Sequence, residues 1–453
     1  MDIIAKPNDA PLDRTVVETR AYSKATWRLL PFLFLCYVAA YLDRVNVGFA
    51  KLQMLSDLAF SETVYGLGAG IFFIGYFLFE VPSNIIMHRV GARIWIARIM
   101  ITWAVISATS LFVKTPTSFY VMRFLLGVAE AGFFPGIVLY LTYWFPAGRR
   151  GRMNALFMMG IPIAGVVGGP LSGWIMAVFQ GVGGWSNWQW LFLLEAIPSA
   201  VLGVVTLRYL PNGIRSANWL TDEEKRALEA NIERDDAGKT HGSLAGIFRD
   251  ARIWTMAAIY FCCMMGLYGI SFYLPTLVKA TGVRTALDVG MLTAIPYACA
   301  VVSMFLVARS ADRSGERRWH FAVPAMLAGA GLFASTQLTG NIPLAMFALT
   351  VGTAGMLATM PVFWTYPSAI LAGGSAAAAI GMINSIGNLA GFVSASIIGW
   401  MKDVTHSTNA GIYCVAGALV FGAVLALLQA RQSVNRQAER APPRAPRSAG
   451  ERA

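Results

Sequence analysis

Charge is scarce in this chain: Asp, Glu, Lys and Arg make up 13% of its 453 residues, while 56% are hydrophobic. A soluble protein of this length needs a larger polar surface, so that class is excluded. Histidine is almost missing, with four residues spread apart, and the five cysteines have no metal-ligand spacing. Cys36, Cys262, Cys263, Cys299 and Cys414 all fall in apolar stretches and read as small core residues, free of disulfides. There is no His-Glu-x-x-His, no Gly-x-Ser-x-Gly and no phosphate-cradling glycine loop on a strand, so nothing marks an enzyme, and no metal or cofactor is expected.

What is present is apolar sequence in long runs, with a mean hydropathy of +0.57. Twelve runs reach membrane-spanning length, near 27–50, 63–86, 94–113, 117–143, 153–178, 188–210, 253–278, 287–308, 320–338, 343–371, 376–401 and 410–430. The expected fold class is therefore an all-α polytopic membrane protein. The net charge of +12 could suggest nucleic acid, but the charges lie between the runs. Of the 36 Lys and Arg, 27 fall in the two tails and the even-numbered loops or at their borders, and 5 in the opposite loops. By the positive-inside rule both termini are cytoplasmic, in the cell's inner membrane.

The only long loop, 211–252, divides the chain into a tail (1–26), a six-helix half (27–210), the linker, a second half (253–430) and a basic tail (431–453) expected to be disordered. Within the linker, Thr221 and Glu224 form a capping box that predicts a short solvated helix. Short turns after spans two and eight, His88–Arg93 and Asp312–Arg318, share an Arg, Gly, Arg order. This is weak internal symmetry of the kind seen when two halves enclose a central site.

These features resemble the major facilitator superfamily, although Asn84 and His88 depart from its turn pattern in the first copy. Narrower stretches are similar to the anion:cation symporter family: Tyr41–Asn46, Phe79–Asn84, Arg123–Gly136, Trp190–Glu195 and Gly381–Gly391. The resemblance implies a twelve-helix major facilitator fold in two six-helix halves. It also implies that Arg44 binds a substrate carboxylate and that Asp43 and Glu130 take up protons. Bacterial carriers of tartrate-like hydroxy acids or sugar acids are the most similar in these stretches.

The residues point the same way. Arg123 and Glu130 lie seven apart, about 10.5 Å along one helix face. A charge at mid-membrane costs about 2.5–3.5 kcal/mol on the insertion scale, so such groups face a partner or a watery cavity. Depth along spans one and four suggests crosswise pairs, Asp43 with Arg123 and Glu130 with Arg44. These four either form a static staple or line a pathway. The second half has no deep charge and offers Tyr268, Tyr273, Trp364, Asn384, Ser385 and Asn388, with Tyr76 of span two as a further cavity residue. A positive first half and a hydrogen-bonding second half suit a hydroxylated anion.

Glu80 and Glu195 read as structural, each expected to meet a cytoplasmic arginine such as Arg89 or Arg93. Pro135, Pro162, Pro275 and Pro361 are expected to bend or break their helices. The expected function is proton-coupled uptake of a small organic anion by a monomer in the lipid bilayer, with no nucleic-acid partner. A proton-coupled drug exporter is the alternative, suggested by Gly165–Gly173, and a non-transporting receptor is a remoter one.

Overall fold

The computed structural model describes residues 11–237, 249–370 and 375–429, and these are all helix and short connections. The basic tail expected at 431–453 lies outside them. The first half comprises α1 (Pro11–Leu58), α2 (Glu62–Val90), α3 (Ala92–Thr109), α4 (Pro116–Glu130), α5 (Phe133–Thr142), α6 (Ala147–Met158), α7 (Gly160–Val178) and α8 (Asn187–Tyr209). The linker helix is α9 (Asp222–Ala237). The second half comprises α10 (Ala251–Ala280), α11 (Ala286–Ser314), α12 (Arg318–Gln337), α13 (Ile342–Phe363), α14 (Thr365–Ile370), α15 (Ser375–Thr405) and α16 (Asn409–Leu428).

Among the described residues, eleven helical segments are long and apolar enough to cross a membrane. The twelfth expected span is α12, also 20 residues long. Arg318, His320 and Gln337 at its ends and small residues along it dilute its hydropathy.

Three expected spans are broken, and each break has a local cause. The fourth ends its first segment at Glu130; Ala131 is extended and Gly132 has φ +86°. That φ is left-handed, which glycine adopts without steric cost. Pro135 then sits in the first turn of α5, where its missing N–H is no loss. The expected break is thus present, three residues earlier than the proline. Pro162 occupies the same first-turn position in α7, and the tenth span breaks at Trp364, after Pro361.

Packing between the halves relies on glycine. Gly66 meets Ala395 and Gly399, and Gly70 meets Phe392, between α2 and α15. Gly169 and Gly173 meet Gly290 and Ala286 between α7 and α11. Without Cβ atoms these backbones approach closely enough for dispersion to hold them, as in membrane helix pairs. Hence Gly165–Gly173, which suggested an exporter, forms one of the two seams.

The linker packs on the first half. The capping box is present: Glu224 N donates to Thr221 Oγ1 at 3.2 Å, and Thr221 N to Glu224 Oε2 at 3.0 Å. Lys24 pairs with Glu224 at 2.7 Å, because α1 begins at Pro11, well before the expected span.

Candidate functional site

The site is assembled where α1 and α2 meet the break in the fourth span. Arg44 of α1 donates through Nη2 to Glu130 Oε1, and both are buried. The pairing inferred from depth is present. Aromatic rings wall in the guanidinium: Phe72, Tyr76 and Tyr41 have centroids 5.3, 5.5 and 5.9 Å away. Tyr268, from the second half, is among its electrostatic neighbours. Glu130 is the last helical residue before the break, so the pair sits where backbone regularity ends.

The other inferred pair is not formed. Asp43 turns away from α4 and accepts from Trp103 Nε1 (3.0 Å), Ser107 Oγ (3.0 Å) and Ser199 Oγ (2.6 Å). The cause is helical geometry: adjacent residues point about 100° apart, so once Arg44 faces α4, Asp43 must face α3 and α8. Neutral donors thereby replace the expected arginine. Arg123 is 2% exposed, and its Nε, Nη1 and Nη2 have no acceptor among the described residues. Its guanidinium lies 5.2 Å from the Phe72 ring centre, so Arg44 and Arg123 share one aromatic platform.

The second-half residues divide into two sets. Asn388 accepts from the Tyr268 hydroxyl at 2.9 Å, and the Tyr268 ring lies 4.2 Å from Phe73. Asn384 and Ser385 donate to the two oxygens of Glu80, at 2.9 and 3.2 Å. Glu80 is thus buried at the junction of the halves and does not meet the loop arginines. Its helix places it one turn beyond Tyr76, on the same face as a cavity residue. That spacing was the available signal.

Tyr273 and Trp364 are not brought to the Arg44–Glu130 pair. The Tyr273 hydroxyl bonds Ala395 O at 3.1 Å, and the ring lies 4.1 Å from Lys51 Nζ. Trp364 packs on Tyr260, with ring centroids 5.0 Å apart, at the break in the tenth span. Lys51, counted as a loop residue from the sequence, is buried, because α1 runs on to Leu58. It pairs with Glu62 at 2.7 Å, Lys402 also pairs with Glu62, and Asp403 accepts from Thr63 N at 2.7 Å. This charged latch closes the end of the bundle opposite the Lys/Arg-rich one.

The arrangement is a pair of buried guanidiniums on one aromatic platform, the first of them bonded to a carboxylate. No group of three or more His, Cys, Asp or Glu able to hold a metal is found among the described residues. Residues 33–395 match the model of the Major Facilitator Superfamily. The chain belongs to the major facilitator superfamily. It is a membrane transporter, as that superfamily's members and its relatives are.

Two relatives carry provisional names. A tartrate transporter of Agrobacterium vitis is 49% identical, covering 92% of this chain and 93% of its own. A metabolite transport protein of Pseudomonas putida, NicT, is 47% identical, covering 92% and 95%. A quinolone resistance transporter of Acinetobacter baumannii is 38% identical, covering 91% and 97%. Among solved structures, a D-xylose–proton symporter superposes with a TM-score of 0.72 at 16% identity, covering 90% of this chain and 98% of that one. That likeness bears on the superfamily fold alone.

Proposed function

We propose that this major facilitator protein is a proton-coupled symporter taking up a small organic anion, a tartrate-like hydroxy dicarboxylate or a sugar acid. The observation that carries the reading is Arg123: a buried guanidinium with no acceptor among the described residues, on the same aromatic platform as Arg44. A buried charge of this kind is stabilised by an opposite charge, and a carboxylate matches the guanidinium fork. Two carboxylates on one small molecule satisfy both arginines. Tyr268 and Asn388 supply donors and acceptors for hydroxyl groups from the other half. The relatives' tartrate names favour the same class.

Coupling follows from competition. Ionised Glu130 holds Arg44; a proton on Glu130 removes that attraction and releases Arg44 to the incoming carboxylate. Proton and anion then each favour the other's binding, and the coupling is reciprocal. Asp43, already served by three donors, is the second proton-accepting group of the mechanism. The protein works as a monomer in the inner membrane, with the Lys/Arg-rich end and both termini cytoplasmic. Its halves, 27–210 and 253–430, rock about the glycine seams.

The 38% identity to a quinolone resistance transporter supports a second reading, proton-driven export. Uptake of labelled tartrate, galactonate and glucarate into proteoliposomes separates the two. A symporter accumulates one of them when the outside is acidic. Export is indicated if none accumulates and a fluoroquinolone moves against the proton gradient instead.

A further inference from the structure

A second buried acid stands apart from the Arg44–Glu130 pair. Glu195 of α8 is 1% exposed, and Ser172 Oγ of α7 donates to its Oε1 at 2.6 Å. Its other oxygen is buried with no partner among the described residues. Asn46 of α1, also 1% exposed, is close enough to act on this carboxylate, yet neither of its amide atoms makes a bond of ordinary geometry. The one charged group that acts on Glu195 among the described residues is another acid, Asp43 of α1; no Lys or Arg does. From α3, Trp103 and Ser107 are already committed to Asp43.

The register explains the juxtaposition. On α1, Asp43 and Asn46 are three residues apart and share a face; on α8, Glu195 and Ser199 are four apart and share a face. The helices run antiparallel, so Ser199 meets Asp43, at 2.6 Å, and Glu195 meets Asn46 one turn nearer the latched end. Two buried carboxylates within electrostatic reach of each other, neither in an ion pair among the described residues, do not both ionise; Glu130 is a further acid that acts on Asp43.

We infer that Glu195 is a further proton-carrying group of the transporter, sharing one proton with Asp43. With the proton on Glu195, its O–H donates to Asn46 Oδ1. When the proton moves to Asp43, the ionised Glu195 accepts from Asn46 Nδ2 and from Ser172. One O–H bond breaks, one forms, and the pair keeps a single negative charge throughout. Glu195 thereby holds the proton between the latched end and Asp43, away from the anion. The inference rests on proton coupling but needs no knowledge of the transported anion.

The test is pH-difference infrared spectroscopy of the full chain in lipid nanodiscs. Wild type shows the carbonyl band of a protonated carboxylic acid in apolar surroundings; Glu195→Gln loses it, and Asp43→Asn moves the pH at which it titrates. A band unchanged in Glu195→Gln overturns the inference. In proteoliposomes, Glu195→Gln lowers pH-driven tartrate accumulation at least about tenfold more than it lowers tartrate counterflow; equal losses point to a structural acid and also overturn it. If Glu195→Gln does not fold, Ser172→Ala keeps the acid and removes its hydrogen bond. The band's titration midpoint then shifts, and an unmoved midpoint counts against the inference. If tartrate is not carried at all, the infrared result stands alone, and only the uptake reading fails.

Discussion

Replacing Glu130 by Gln isolates the step on which the proposed coupling depends. The substitution keeps shape and an acceptor oxygen, but removes the charge that holds Arg44. A hydrogen bond to a charged group contributes about 1.5–3 kcal/mol net. At neutral pH an incoming carboxylate must displace that bond in wild type; in the variant it does not. The anion therefore binds about 10–100-fold more tightly at neutral pH, since each 1.4 kcal/mol is tenfold. The empty variant also leaves Arg44 buried without its carboxylate, while Arg123 has no acceptor among the described residues of either protein. At about 2.5–3.5 kcal/mol for that one charge on the insertion scale, the variant is less stable than wild type until an anion arrives. Thermal unfolding of purified protein with and without tartrate reads both effects. Wild type should show stabilisation by tartrate that grows as pH falls through the titration of Glu130. Glu130→Gln should show a lower unfolding temperature without ligand, a larger rise with it, and no dependence on pH in the same range. Proteoliposomes carrying the variant should exchange tartrate without accumulating it. If the variant binds tartrate no more tightly than wild type at neutral pH, or still accumulates it under a proton gradient, release of Arg44 is not the coupling event.

Arg123→Gln removes a buried charge with no acceptor, so the ligand-free protein gains about 1–3 kcal/mol while tartrate binding is lost; a destabilised variant would mean that Arg123 has a protein partner. Lys402→Ala removes one of the two cations on Glu62, worth about 1–2 kcal/mol at this half-buried site, enough to shift the open-to-closed ratio of the latched end about 5–30-fold. Spin-label distances across that end should broaden toward longer values, and an unchanged distribution would deny the latch a gating role. Gly132→Ala puts a side chain at φ +86° and drives its Cβ into Ser83. The expected cost is at least about 1–2 kcal/mol from the left-handed backbone alone. Ser83→Gly on top should recover part of the loss, and full recovery would show that only the clash mattered.

Much of this was legible in the sequence because membrane helices leave periodic traces. The span lengths, the Arg44–Glu130 pair and the linker cap follow from rise per residue and from motif spacing. The Asp43 environment was not legible. Its partners are an indole and two hydroxyls on other helices, and logic that pairs opposite charges cannot find neutral donors. Glu80 was misplaced for a related reason: an acid near arginines in sequence was assigned to them, whereas tertiary packing gave it Asn384 and Ser385. Lys51 was lost because the end of α1 was drawn at Ala50, eight residues before the helix stops, where Lys51, Gln53 and Asp57 interrupt the apolar run.

The bonds between the halves follow one line through the molecule, and its course bears on mechanism. They run from Glu80 and Asn384 through Tyr41 with Ser271 (2.9 Å) to the Lys51–Glu62–Lys402 latch. Gly381, one turn nearer the Lys/Arg-rich end than Asn384, has nothing within 4 Å of where a Cβ would stand. The halves are therefore bonded to each other at the latched end. In that state Glu80 occupies Asn384 and Ser385, while Glu130 occupies Arg44, so two carboxylates stand in for a bound anion on opposite sides of the junction. In the proposed symport, an incoming dicarboxylate gains Arg44 only after Glu130 is protonated. It reaches the second half through Tyr268 and Asn388, which Glu80 leaves available. Binding energy is then available to draw the halves together, because the same molecule contacts both. A ligand shifts a conformational equilibrium only by its differential affinity for the two states. In the proposed symport that difference requires the neutral form of Glu130, which would tie movement of the anion to movement of the proton.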